Sequence, residues 1–194
     1  MATEKDRLDA KNHWEELYHS TSPGKVSWYQ ENPAISLYFI EKTGLPKEAP
    51  ILDVGSGAST LVDQLLLRGY RNLALLDVST KALLLTRQRL GGKATGVAWH
   101  HGDVTRYSLP EQYSLWHDRA AFHFLVDPSD RRAYVTSLRQ GLRPQGHLIL
   151  ATFAVGGPTR CSGLDATQYD TQKITTELGQ DFRLIETLEE LHQT

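Results

Sequence analysis

The feature that most constrains this fold is a regular alternation of short apolar runs with longer segments of helical period. Turn residues bound the apolar runs, and most runs are followed by a segment with apolar residues three and four positions apart. Strands that alternate with helices are typical of a parallel sheet with helices on both faces. The predicted strands are residues 50–54, 73–77, 97–100, 114–118 and 147–153.

Capping and breaking residues mark the predicted helices. The first helix covers about residues 59–68 and ends at Gly69, and the second follows the N-cap candidate Ser79 and ends at Gly91. A third helix covers about residues 128–142. The sequence therefore predicts an α/β fold, a Rossmann-like three-layer sandwich whose sheet is mostly parallel.

The length of 194 residues suits a single domain of ordinary size. We expect residues 49–194 to form the Rossmann-like core and residues 1–48 to form a cap that is helical in part. The cap contains a group of aromatic residues, namely Trp14, Tyr18, Trp28 and Tyr29.

The amino-acid composition restricts the classes of binding partner and the cellular compartment that we expect. The 21 Lys and Arg against 23 Asp and Glu form no basic stripe, so we expect no nucleic acid partner. The single cysteine, Cys161, excludes an internal disulfide and a cysteine-based zinc cluster. No apolar run has the length of a signal peptide core or a membrane span, so we expect a cytoplasmic protein without membrane contact. Side chains of the adjacent His100 and His101 point to opposite faces of a strand, and we expect no metal.

The turn after the first strand carries the strongest chemical signal. Gly55 and Gly57 flank Ser56 in this turn. The two glycines permit a sharp turn and let the backbone approach a ligand closely. Thr60 stands where the third glycine of a dinucleotide fingerprint would lie. Asp53 would repel a pyrophosphate but attract an ammonium group, which favours S-adenosylmethionine (SAM) over NAD.

Two further acids follow the next two strands. Asp77 can accept hydrogen bonds from ribose hydroxyls, and Val78 follows it. Asp103 can accept the adenine amino group, while its neighbours Gly102 and Val104 leave room for the base. Each acid alone is more often a cap or loop residue, but their joint position at successive strand ends favours a nucleoside site.

These motifs resemble the class I SAM-dependent methyltransferase superfamily across residues 49–153. The motifs are LDVGSG, LDVS, HGDV, DRA and LRPQGHL, in chain order. Residues 13–14, Tyr18, residues 28–29 and residues 118–122 resemble a subgroup that includes elongation-factor lysine methyltransferases and, more distantly, thiopurine methyltransferases.

The resemblance implies a position for each part of SAM. It places the methionine moiety at Asp53 and Gly55, ribose at Asp77 and adenine at Asp103. It makes Asp118 and Arg119 a wall of the reaction chamber beside the cofactor.

Methyl transfer is an in-line displacement, so the protein must align the nucleophile and accept its proton. We expect Asp118 and His123 to be catalytic, Phe122 and Tyr29 to contact substrate, and Trp28 to stack over the methyl group. A structural alternative stays open: Phe122 in the core, the cap aromatics packed on the sheet, and a structural His123. Residues 22–29 also have the composition of a lid, or of a permanently packed loop.

The predicted function is methyl transfer from SAM to a small molecule or a protein side chain such as lysine, with S-adenosylhomocysteine (SAH) as product. A catalytically silent SAM-binding protein and an NAD-dependent oxidoreductase are the alternatives. We expect a monomer or weak dimer.

The resemblance also bears on the end of the chain. Members of the superfamily insert an antiparallel seventh strand between strands five and six. Residues 182–187 predict the sixth strand. No further strand-like run follows, so we expect the core to lack its final strand.

Overall fold

A computed structural model describes residues 3–191 and contains a five-stranded parallel sheet with helices on both faces. This confirms the predicted Rossmann-like α/β class. The helices are α1 (Glu4–Ser20), α2 (Ala34–Lys42), α3 (Leu61–Leu67), α4 (Thr80–Leu90), α5 (Pro128–Gly141) and α6 (Thr171–Leu178). The strands are β1 (Ile51–Val54), β2 (Leu73–Asp77), β3 (Val97–His101), β4 (Tyr113–Arg119), β5 (Leu142–Ala151), β6 (Arg160–Cys161) and β7 (Leu164–Asp165).

The strand order of the main sheet is β3-β2-β1-β4-β5, and every pairing in it is parallel. The chain moves outward from β1 through β2 to β3 and then returns to the other side of β1 with β4. The order therefore reverses between β1 and β4, where open α/β sheets form a crevice at their carboxyl ends. The short strands β6 and β7 form a separate antiparallel pair.

The core has two apolar layers because strand side chains alternate between faces. Ile51 and Leu115 belong to the layer that α2 and α3 cover. Leu52 and Trp116, each the next residue along its strand, belong to the layer that α5 and α6 cover. All four side chains are almost fully buried.

The N-terminal cap is helical in part: α1 and α2 are joined by a stretch whose single helical turn is residues 23–25. Thr3 begins α1 with a capping box, in which its hydroxyl oxygen accepts from the Asp6 amide and the Asp6 carboxylate accepts in return. Tyr18 is buried in a small cluster together with Ala58 and Ala82, so α1 is packed on the sheet domain. Within residues 3–191 no helix is both long and apolar enough to cross a membrane.

The fifth strand begins earlier than predicted. Leu142 already pairs with Tyr113, but the next paired residues are Leu115 and His147, so residues 143–146 form an irregularity inside β5. Gln145 in this stretch has a φ of 62°, in the left-handed region.

The prediction of a sixth strand over residues 182–187 is wrong for this structure, which contains no regular element there. A strand needs a hydrogen-bonded neighbour, and among residues 3–191 β5 pairs only with β4. The segment instead contacts α2 through side chains: Glu186 accepts from Lys42 Nζ at 2.6 Å and from the Tyr38 hydroxyl. Leu184 and Ile185 remain largely exposed.

Substitution of Gly57 tests how closely α1 packs against the turn after β1. Its φ is 51°, and a β-carbon there would overlap the Tyr18 hydroxyl. Gly69 has a φ of 84° but faces open space, so it is a matched control. We expect Gly69→Ala to cost about 1 kcal/mol and Gly57→Ala to cost clearly more, measured by urea unfolding.

The excess loss at Gly57 has a specific cause, so it should be reversible. Adding Tyr18→Phe to Gly57→Ala removes the overlapping hydroxyl and should recover part of the excess in a double-mutant cycle. Equal losses for Gly57→Ala and Gly69→Ala would show that Tyr18 does not restrain this turn.

Candidate active site

A large open cavity runs along the carboxyl ends of β1 to β4, where the strand order reverses, and continues along β5, α6 and residues 181–191. The wall on one side is the turn after β1. The other walls are the ends of the neighbouring strands, one face of α1 and the segment before α2. Among the predicted site residues, those that line the cavity are Trp28, Tyr29, Asp53, Gly55, Ser56, Asp77, Val78, Gly102, Asp103, Val104, Arg119 and His123.

The turn after β1 presents backbone and one free hydroxyl to the cavity. Gly55 has a φ of 60°, and a β-carbon on it would overlap Ala121. A side chain at Gly55 would therefore strain the turn itself. The Ser56 hydroxyl is buried and has no hydrogen-bond partner in the part of the chain described here. Such an orphaned buried group points to a ligand.

Asp77 joins the turn after β1 to the start of α4. Its two carboxylate oxygens accept from the Gly57 amide at 2.7 Å and from the Ser79 amide at 2.8 Å. Burial raises the pKa of Asp77 to about 6, although both amides oppose that shift. Each oxygen keeps a lone pair for a further donor.

Asp103 occupies the corresponding position after β3. Its Oδ1 atom accepts from the Thr105 amide at 2.9 Å and from the Thr105 hydroxyl at 2.8 Å. A β-carbon on Gly102 would overlap the Tyr107 ring, so glycine is required there by packing. The carboxylate is thus held in a fixed orientation at the edge of the cavity.

One face of α1 covers the cavity, a feature that the sequence reasoning missed. Arg7, Lys11, Trp14 and Tyr18 follow helical spacing and all line the cavity. Glu15 docks the helix. Its carboxylate accepts from the Ser79 hydroxyl at 2.7 Å and from the Lys81 amide at 3.2 Å, at the positive end of α4.

Three of the predicted site residues lie away from the cavity lining: Asp118, Phe122 and Gly57. Asp118 is fully buried and accepts from the Ala121 and Phe122 amides and the Tyr134 hydroxyl. Burial raises its pKa to about 6. Phe122 is fully buried in the layer under α5. These positions correct the expectation that Asp118 and Phe122 face the chamber, because neighbouring groups enclose both side chains.

Arg119 lies on the other face of β4 and lines the cavity. Its Nη2 atom donates to the Trp28 carbonyl at 2.9 Å, which ties the segment before α2 to the end of β4. Burial lowers the pKa of this guanidinium, while the charges of Glu190 and Asp53 oppose that change. Trp28 itself meets Trp14 edge to face, with ring centroids 5.8 Å apart.

His123 is the most unusual polar group in the cavity wall. Its side chain is 1% exposed, and neither ring nitrogen has a hydrogen-bond partner among the described residues. The ring stacks on Phe153 at 4.4 Å and meets Phe124 at an edge. Burial lowers the pKa of His123 to about 4, so the ring is neutral near pH 7.

Two further polar residues escaped the sequence reasoning. His117 Nδ1 lies 2.7 Å from Asp53 Oδ1, and His117 Nε2 lies 2.9 Å from the Ser36 hydroxyl. The strand register places His117 directly beside Asp53, so parallel pairing of the two predicted strands could have indicated this contact. Nothing in the local sequence indicated Ser36.

Comparisons with known proteins identify relatives of this chain. Residues 51–146 match a family model described as a methyltransferase domain. EEF1A lysine methyltransferase 2 of Danio rerio is 26% identical over 163 residues, which is 75% of this chain and 69% of that protein. The Homo sapiens protein of the same name is 22% identical over 198 residues, 93% of this chain and 77% of that protein.

Several solved methyltransferase structures have folds similar to that of this chain. Glycopeptide N-methyltransferase MtfA in complex with sinefungin has a TM-score of 0.55 at 24% identity, over 69% of this chain and 58% of that one. Its complex with SAM has a TM-score of 0.56 at 23% identity, over 69% of this chain and 59% of that one. This chain thus spans less than two thirds of MtfA. The family match, the curated relatives and the shared fold support a class I SAM-dependent methyltransferase.

Proposed function

We propose that the cavity binds SAM at the ends of β1, β2 and β3 and that the chain methylates an amino nitrogen, with a protein lysine as the first candidate acceptor. The observation that carries this proposal is the set of acids at three successive strand ends, Asp53, Asp77 and Asp103, in one cavity with a buried Ser56 hydroxyl that has no partner among the described residues. Each acid matches a donor group of SAM.

The charges in the cavity fit the cofactor from end to end. Asp53 and Arg119 carry opposite charges close to the switch point, and they would hold the ammonium and the carboxylate of the methionine end. Asp77 would accept from the ribose hydroxyls, and Asp103 from the adenine amino group. Ser56 would supply a further hydroxyl beside the methionine end. The negative charge of Asp53 would repel the pyrophosphate of NAD, which disfavours NAD as the cofactor.

SAM supplies an electrophilic methyl group when bound. Aromatic side chains near His123 form a wall that excludes water and attracts positive charge, with Trp14 and Phe124 at a centroid distance of 5.0 Å. A neutral His123 can accept the proton that the amine loses, because its ring nitrogens have no protein partner among the described residues. In this proposal Asp118 holds the β4 turn and does not contact the acceptor.

A lysine fits this chamber by chemistry. Its aliphatic stem can pack on aromatic rings and its amino group can reach a buried neutral base. The curated relatives carry EEF1A and lysine in their names. Small amines are the second candidate, since the wall near His123 is closed and aromatic. We further propose a cytoplasmic, monomeric or weakly dimeric single domain that acts without metal or nucleic acid.

Asp77 should make cofactor affinity depend on pH. Its pKa of about 6 means that the free protein holds a proton there below pH 6, whereas ribose hydroxyls bind best to the ionised form. SAH affinity should therefore fall as the pH decreases from 7.5 to 5.5. Asp77→Ala should weaken SAH by about 1 to 3 kcal/mol and flatten the dependence, measured by titration calorimetry. An unchanged affinity in the variant would remove Asp77 from the site.

The acceptor assignment predicts methylated lysine. Incubation with SAM and EEF1A should release SAH and add 14 Da increments at lysine, about the mass of a methylene, detected by mass spectrometry. A panel of small amines serves as the parallel arm. SAH release with small amines alone would transfer the proposal to a small-molecule acceptor. SAM binding without SAH release in either arm would favour a silent binding protein and contradict the proposed methyl transfer.

His123 should affect turnover more than cofactor binding. We expect His123→Asn to lower kcat by about 100-fold, within the usual range for loss of a general base, with SAH affinity kept within about 2-fold. His19→Asn is a control at an exposed histidine of α1. Equal kcat for His123→Asn and the native protein would exclude His123 as the base.

A further inference from the structure

Three buried polar side chains in the cavity wall form a continuous hydrogen-bonded chain that ends on α2. His117 lies between Asp53 of β1 and Ser36 in the first turn of α2. Their exposed fractions are 5%, 2% and 6%. Burial of polar side chains costs free energy, which the hydrogen bonds among these three residues offset. Their position at the cavity raises the question of what they do there.

The sheet explains how the three residues meet. Asp53 and His117 are register partners on adjacent strands and point to the same face. The residues two positions earlier, Ile51 and Leu115, are apolar and buried in the layer that α2 covers. The polar chain therefore closes the cavity end of an apolar layer, and Ser36 meets it from α2.

The chemistry of the two groups fixes the direction of the hydrogen bond between His117 and Asp53. An ionised carboxylate can only accept, so His117 Nδ1 donates to Asp53 Oδ1. In the neutral ring Nε2 is then the acceptor, and the Ser36 hydroxyl donates to it. Two bonds at opposite sides of the ring hold the imidazole in one orientation.

Asp53 thereby keeps its second oxygen for a ligand. The structure records no hydrogen bond to Asp53 Oδ2 from residues 3–191, and Asp53 lines the cavity. A carboxylate that a neighbour already orients loses less freedom when it binds an ammonium group. A donor on its other oxygen also offsets the cost of burying the charge.

We propose that His117, held by Ser36, is a positioning residue for the methionine end of the cofactor. The inference rests on the proposed function, which assigns the ammonium group to Asp53. His117 acts through Asp53 and does not contact the cofactor. Loss of its Nδ1 donor leaves Asp53 buried without a partner and weakens binding of the amino acid part of the cofactor, whereas the adenosine part binds as before.

Two substitutions of the same histidine separate this role from packing. His117→Asn places an amide donor near the Nδ1 position and keeps the bond to Asp53. His117→Gln places its amide near the Nε2 position, so it keeps the side of Ser36 and loses the donor to Asp53. Two ligands separate the parts of the cofactor, since 5′-methylthioadenosine has the adenosine of SAH but no amino acid group.

Calorimetric titration of both ligands decides the matter. We expect His117→Gln to weaken SAH by about 10-fold or more and to leave methylthioadenosine within about 2-fold. His117→Asn should keep SAH within about 3-fold of the native protein. Equal loss of SAH in the two variants, or a parallel loss of methylthioadenosine, would overturn the positioning role.

Ser36→Ala keeps the test decisive if the histidine variants do not fold. It removes the bond that holds the ring, so we expect SAH to weaken by about 3-fold while methylthioadenosine is unaffected. Native SAH affinity in Ser36→Ala would then overturn the proposal. Failure of the native protein to bind SAH is a different result, because it rejects the proposed function and not the role of His117.

Discussion

The parallel pairing of β1 with β4 is the constraint on which the site depends. It brings two strand ends together at the point where the sheet order reverses, and it places Asp53 beside His117. The same pairing aligns Val54 with Asp118, so that His117 and Asp118, which are consecutive in β4, point to opposite faces of the sheet. A shift of one residue would exchange these faces and bury the wrong side chains.

Two aspartates, Asp77 and Asp118, have similar pKa values because both are buried, but their surroundings differ. The pKa of Asp77 and that of Asp118 are both raised to about 6, chiefly by burial. Asp118 is enclosed by two amides and the Tyr134 hydroxyl, so its bonds hold the turn after β4. Asp77 lines the cavity and holds the turn after β1 through Gly57, while keeping acceptor capacity for a ligand. A raised pKa alone therefore does not identify a ligand-binding acid.

The sequence was informative where a local pattern decides the structure. Short apolar runs bounded by turn residues predicted the parallel strands, and the acids after the first three strands predicted that Asp53, Asp77 and Asp103 line one cavity. Contacts between distant segments left no local pattern: the docking of Glu15 on α4, the position of Ser36 under His117, and the enclosure of Phe122 by the core. The prediction for residues 182–187 was wrong because a strand-like run of residues forms a strand only where a neighbouring strand is available for pairing.

A crystal structure with SAH tests the central claim most directly, namely that the cavity at the strand ends is the cofactor site. The account predicts the amino acid end of SAH between Asp53 and Arg119, the ribose hydroxyls on Asp77, and the adenine beside Asp103, under the face of α1 that contains Trp14. SAH bound elsewhere, or bound here with its adenine at Asp53, would contradict it.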